Sequence, residues 1–114
     1  MSALRIRIEG LEDVRKAVLR AAEGAAESEA GLSFTSYEQM HRVLSPKRLQ
    51  LVKAMTGRGA MSIRQLARLV GRDFKGVHSD VTALVGAGVV DRGAKGIEFP
   101  YEAIHVEFDI AAAA

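Results

Sequence analysis

No cysteine and no tryptophan occur among the 114 residues, and proline is held to two positions, Pro46 and Pro100. The missing cysteines exclude disulfides, thiolate metal sites and thiol nucleophiles, and they fit a reducing cytoplasm. Aromatic residues are scarce, with four Phe and two Tyr, so the 48% hydrophobic content is mostly aliphatic. This is globular composition rather than disorder, and the length suits one hydrophobic core. Long hydrophobic runs are also missing. No stretch reaches the roughly 20 apolar residues of a membrane-spanning helix, and the start, Met1-Ser2-Ala3-Leu4-Arg5-Ile6-Arg7, alternates charged and apolar residues where a secretory signal would be continuously apolar. A soluble, cytoplasmic protein with no membrane segment is expected.

What is present is an uneven charge distribution. The formal net charge is only +2, yet nine basic residues lie between Arg42 and Gly76: Arg42, Lys47, Arg48, Lys53, Arg58, Arg64, Arg68, Arg72 and Lys75. Only Asp73 opposes them there. Before Arg42 five basic residues stand against seven acidic ones, and after Gly76 only Arg92 and Lys95 stand against six. The middle of the chain is suited to a polyanion.

Periodicity divides the chain. Leu4, Ile6 and Ile8 alternate with charged residues, as in a strand with one buried face, and Gly10 closes it. From Leu11 to about residue 30, Leu11, Val14, Val18, Ala21 and Ala25 form a narrow helical seam suited to a partner helix. Gly31 stops that helix. Thr35 or Ser36 caps a short helix running to about Val43, with Glu38 and Gln39 in the returning position of a capping box. Ser45-Pro46 starts the next helix, whose face carries Leu49, Val52 and Met55 until Gly57. Ser62 with Gln65 makes a second capping box before Ile63, Leu66, Ala67 and Val70, and Gly71 ends that helix. Asp73 caps a further helix, about 73–86, with Phe74, Val77, Val81, Leu84 and Val85 as its apolar stripe, until Gly86 and Gly88. Val89-Val90-Asp91-Arg92 and Gly96-Ile97-Glu98-Phe99 flank a basic turn and read as a hairpin, about 89–99. Ile104, Val106, Phe108 and Ile110 alternate in a final strand before a disordered alanine tail, residues 111–114.

The segment from Leu66 to Val77 has the composition of a helix-turn-helix. Ala67 is small where two helices cross, Gly71 serves the turn, and Val77 and Val81 pin the second helix. With that stripe inward, the opposite face shows Lys75, His78, Ser79 and Thr82, which suit base edges in a major groove. Lys47, Arg48, Arg64, Arg68 and Arg72 around it, and Arg92 and Lys95 on the hairpin tip, suit phosphates. Helix, turn, helix, basic-tipped hairpin and a basic surplus confined to one region agree on double-stranded DNA.

Several of these segments also carry a family resemblance. Ser33-Phe34-Thr35-Ser36, Leu44-Ser45-Pro46-Lys47-Arg48-Leu49, Ser62-Ile63-Arg64-Gln65-Leu66-Ala67-Arg68, Val70-Gly71-Arg72-Asp73 and Val77-His78-Ser79-Asp80-Val81 resemble MarR-like predicted transcriptional regulators. The resemblance runs from about Leu32 to Ile110 and includes Pro100-Tyr101-Glu102-Ala103-Ile104. It implies a winged helix-turn-helix that binds DNA and, in the members that are TumA-type antitoxins, a cognate toxin as protein partner. The family pattern has Asn before the position of Val77 and Arg after that of His78, where this chain has Gly76 and Ser79. A glycine there is expected to weaken the helix by roughly 1 kcal/mol relative to alanine. The acidic surplus at Glu12, Asp13, Glu23, Glu27 and Glu29, and again at Glu102, Glu107 and Asp109, suits a basic partner of the toxin kind.

Other chemistry finds no support. His78-Ser79-Asp80 contains the residue types of a hydrolytic triad, but consecutive helical residues point about 100 degrees apart and form no relay. His41, His78 and His105 stand on separate elements without metal-ligand spacing. The expectation is therefore an α+β protein with no catalytic, metal or cofactor site. Residues 1–31 form a strand and helix for homodimer or partner assembly, residues 32–110 a winged helix-turn-helix, and residues 111–114 the tail. The function expected is transcriptional regulation, with neutralisation of a toxin as the alternative.

Overall fold

Each helix described below begins on a side chain that satisfies an otherwise free backbone amide. In the computed structural model, residues 2–8 and 31–110 are described. They form an α+β arrangement: β1 (Ala3–Ile8), β2 (Gly31–Phe34), α1 (Tyr37–Val43), α2 (Pro46–Met55), α3 (Ile63–Val70), α4 (Phe74–Gly86), β3 (Asp91–Gly93), β4 (Gly96–Glu98) and β5 (Ala103–Glu107). The Ser36 hydroxyl accepts from the Gln39 amide at 3.1 Å and the Ser45 hydroxyl from the Arg48 amide at 3.4 Å, with Pro46 in the first turn of α2. Before α3 the capping box is complete: Ser62 accepts from the Gln65 amide at 3.1 Å, and the Gln65 side chain accepts from the Ser62 amide at 2.8 Å. Asp73 caps α4 by accepting from the Gly76 amide at 3.0 Å. These bonds take up amides that the first helical turn leaves without partners.

β1 is the central strand of a parallel sheet ordered β2-β1-β5. Ile6 stands in register with Leu32 on one side and Val106 on the other. Leu4 and Ile6 are buried in the same core as Phe34, Met40 and Leu44, so β1 packs within the fold formed by the later residues. β2 is not expected from the sequence, in which Gly31 only ends a helix. Its four residues carry two apolar side chains, Leu32 and Phe34, too few to display a period of two. Its pairing with β1 is parallel and so requires a crossover. That connection spans residues 9–30, and the helix, seam and acidic residues expected there lie outside the described residues, as does the expected tail.

The helical core differs from expectation on α2. Leu51, Val52 and Met55 are buried, and Leu49 is 38% exposed. At about 100° per residue the three buried side chains share one arc and Leu49 falls outside it. On α4 the stripe of Val77, Val81 and Leu84 is buried, and Phe74 in the first turn stands 42% exposed. Val89 and Val90 are buried after α4 and precede the β3–β4 ladder, which pairs Arg92 with Ile97 and Gly93 with Gly96. Met61 adds a short third edge: its amide donates to the Ile97 carbonyl at 2.9 Å, and the Ile97 amide donates back at 2.8 Å. Gly96 makes this approach possible, because φ there is +120° and a Cβ would collide with the Met61 carbonyl. Among the described residues no helix is long and apolar enough to cross a membrane.

Candidate functional site

The geometry of α3 and α4 is set by small residues and one carboxylate. Ala67 is buried where α3 meets its neighbours, and Gly71 ends α3 in the left-handed conformation, φ 70°. Asp80 then ties three elements together. Its Oδ1 accepts from Arg48 Nε of α2 at 3.1 Å, and its Oδ2 accepts from Arg72 of the α3–α4 turn at 2.9 Å. The Arg48 guanidinium also donates to the Arg42 and Val43 carbonyls at 2.9 and 3.3 Å, closing the C-terminal end of α1. All three side chains of this clasp are largely buried, with 17 to 24% of their surface exposed. Burial alone pushes the Asp80 carboxyl upward, but the hydrogen bonds and charges of Arg48 and Arg72 outweigh it and hold the group below the ordinary carboxylate value.

The residues expected from sequence to bind DNA thus divide. Arg48 and Arg72 are engaged with Asp80, a partner that no local sequence signal indicates. Lys47, Arg64, Arg68, Lys75, His78, Ser79, Thr82, Arg92 and Lys95 are exposed. Lys75, His78, Ser79 and Thr82 lie on α4 outside its buried stripe. The Thr82 hydroxyl donates to the His78 carbonyl at 2.8 Å, so its proton is committed and its lone pairs remain outward.

Three shallow clefts join across this surface. The largest, about 420 Å³, is lined by Met61, Ser62, Ile63, Arg64, Phe74, His78, Arg92, Gly93, Gly96 and Ile97, and so lies between α4 and the β3–β4 hairpin. Arg64 and Phe74 continue it into a second cleft with Ala67, Arg68, Gly71 and Arg72. Arg92, Gly93 and Gly96 continue it into a third with Ala60, Asp91, Ala94, Lys95 and Glu98 at the hairpin tip. Phe74, expected in the core, is part of this face: the Arg64 guanidinium lies 4.9 Å from its ring centre, and its ring stands 5.7 Å from that of His78. The spacing of Arg64 and Phe74 across a turn carried no local signal for this contact, which exists because α3 and α4 pack together.

Gly76 also has a structural reason. A Cβ at this position would stand 3.1 Å from an Asp73 carboxylate oxygen and 3.2 Å from the Arg72 guanidinium. Both contacts are tighter than ordinary van der Waals distance, so a methyl group there would press on both the cap and the clasp. The three histidines find separate neighbours: His41 stacks on Tyr37, the His78 ring lies tilted against that of Phe74, and His105 lies 3.9 Å from Glu107. Among the described residues no group of three His, Asp or Glu is placed to hold a metal ion.

A family model described as HVO_A0114 matches residues 43–106, more than half of the chain and all of the residues that line the three clefts. No curated protein and no solved structure matches.

Proposed function

We propose, for a chain that belongs to the HVO_A0114 family, that it is a transcriptional regulator docking on double-stranded DNA as a winged helix-turn-helix. α4 is the recognition helix in the major groove, and the β3–β4 hairpin is the wing on the flanking groove or backbone. One observation carries the reading: Phe74 and His78 of α4 and the wing residue Arg92 line a single concave surface, with Arg64 beside them, and Lys75, Ser79 and Thr82 are exposed on the same helix. A convex duplex is met by a concavity with cations along it, and Arg64 and Arg92 supply them here.

The roles follow from donor and acceptor chemistry. Lys75 donates to guanine O6 and N7, and Ser79 and His78 meet either donors or acceptors. Thr82, its proton held by the His78 carbonyl, accepts from cytosine or adenine amino groups. Arg64, Arg68, Arg92 and Lys95 meet phosphates, whereas Arg48 and Arg72 hold α4 in place. The test is selection from a random duplex library followed by variant binding. Lys75→Ala is expected to relax preference at one base position by about 1–3 kcal/mol, and Arg92→Ala to weaken all selected duplexes alike. Uniform loss from both variants would move the reading face away from α4.

A further inference from the structure

The three-stranded sheet ends on β5, whose outer edge pairs with no other described strand. An open row of backbone amides and carbonyls is a template for a further strand. Large apolar side chains are exposed on and just after this strand: Val106 of β5 is 39% exposed, and Phe108 and Ile110, which follow it, 40% and 91%, with Tyr37 of α1 5.3 Å from the Phe108 ring. β2, at the opposite edge, carries no exposed large hydrophobic residue. We propose that β5 is the seam of a homodimer, pairing antiparallel with β5 of a second copy about a two-fold axis at Val106.

The strand's own order of side chains identifies the occupant. About an axis at Val106, position 105 lies opposite position 107 and position 104 opposite 108, on matching faces of the pleat. His105 then faces the partner's Glu107, and the symmetry repeats the pair. Ile104 faces the partner's Phe108, and Val106 meets its own counterpart on the same face. An axis at Glu107 would set two carboxylates together and one at His105 two imidazoles, whereas the axis at Val106 sets His105 against Glu107 twice. Within one chain His105 and Glu107 already share a face at 3.9 Å, and pairing extends them into a ladder of alternating polarity. The two sheets become one of six strands in the order β2-β1-β5-β5-β1-β2. The interface uses residues distinct from the segment 1–31 and does not depend on DNA binding.

Sedimentation velocity of the full chain at micromolar concentration tests the seam. The unaltered protein is expected to run at twice the chain mass. His105→Glu sets glutamates opposite Glu107, and Glu107→Lys sets lysines opposite His105. Each alone is expected to weaken the dimer roughly tenfold, with unchanged circular dichroism. An equimolar mixture of the two variants restores one opposite-charge pair and keeps the original one, so it is expected to form the heterodimer. A monomeric unaltered protein, a dimer indifferent to both substitutions, or a mixture no tighter than either variant would each overturn the proposal.

Discussion

Removing the Asp80 carboxylate probes whether one side chain sets the positions of α2, the α3–α4 turn and α4. Asp80 accepts from two arginines at 3.1 and 2.9 Å. Hydrogen bonds to charged groups contribute about 1.5–3 kcal/mol each in favourable settings. With about a quarter of each arginine side chain open to water, rehydration recovers part of that, and a total of about 2–4 kcal/mol remains. Asp80→Ala also leaves two cations facing one another, so it is expected at the upper end and Asp80→Asn at the lower. For a domain of this size the loss corresponds to a fall in melting temperature of roughly 8–15 °C. Thermal unfolding followed by circular dichroism at neutral pH measures it.

Acid titration adds a sign. The folded-state value of Asp80 lies below its ordinary one, so its contribution is full above about pH 4. It is lost as pH falls through the lowered value. The stability gap between the unaltered protein and Asp80→Asn is therefore expected to stay level from neutral pH to about pH 5 and to close below about pH 4. An Asp80→Ala variant within about 0.5 kcal/mol of the unaltered protein, or a gap that widens on acidification, would refute the clasp.

Two glycines of one helix are expected to respond differently to alanine. Gly86 has open space where a Cβ would stand, so Gly86→Ala should raise stability by about 0.5–1 kcal/mol in chemical denaturation. Gly76→Ala should give no such gain, because Asp73 and Arg72 occupy that space. Gly96→Ala should cost more than about 2 kcal/mol, since the new methyl group meets the Met61 carbonyl at a φ of +120°. Its amide exchange should rise first at Met61 and Ile97, whose mutual hydrogen bonds join the hairpin to the domain. Leu66→Ala, at a fully buried site, should lower stability by about 2–5 kcal/mol in the same denaturation assay.

The features legible in the sequence are those with local causes. Ser45-Pro46, the Ser62 and Gln65 box, Gly71 and Asp73 act within four residues of themselves, and the helix boundaries they imply agree with the structure to within about two residues. Features made by distant residues were not legible. β2 owes its existence to register with β1, the Met61 bridge to Ile97 spans two helices, and Asp80 meets Arg48 from 32 positions away. The candidate site shows the same split: the exposed face of α4 followed from its periodicity, whereas the withdrawal of Arg48 and Arg72 and the exposure of Phe74 depended on packing between elements.

Salt dependence tests whether the concave face between α4 and the wing meets the phosphates of a duplex. Binding of the full chain to a random-sequence duplex should be followed by fluorescence anisotropy across a range of salt concentration. With four phosphate contacts from Arg64, Arg68, Arg92 and Lys95, the logarithm of affinity should fall against the logarithm of salt with a slope of about −3.6 per chain. Arg64→Ala and Arg92→Ala should each make the slope shallower by about 0.9, whereas Lys53→Ala, on α2 away from the three clefts, should leave it unchanged. An affinity that stays flat as salt rises, or slopes untouched by both arginine substitutions, would rule out this face as the duplex contact.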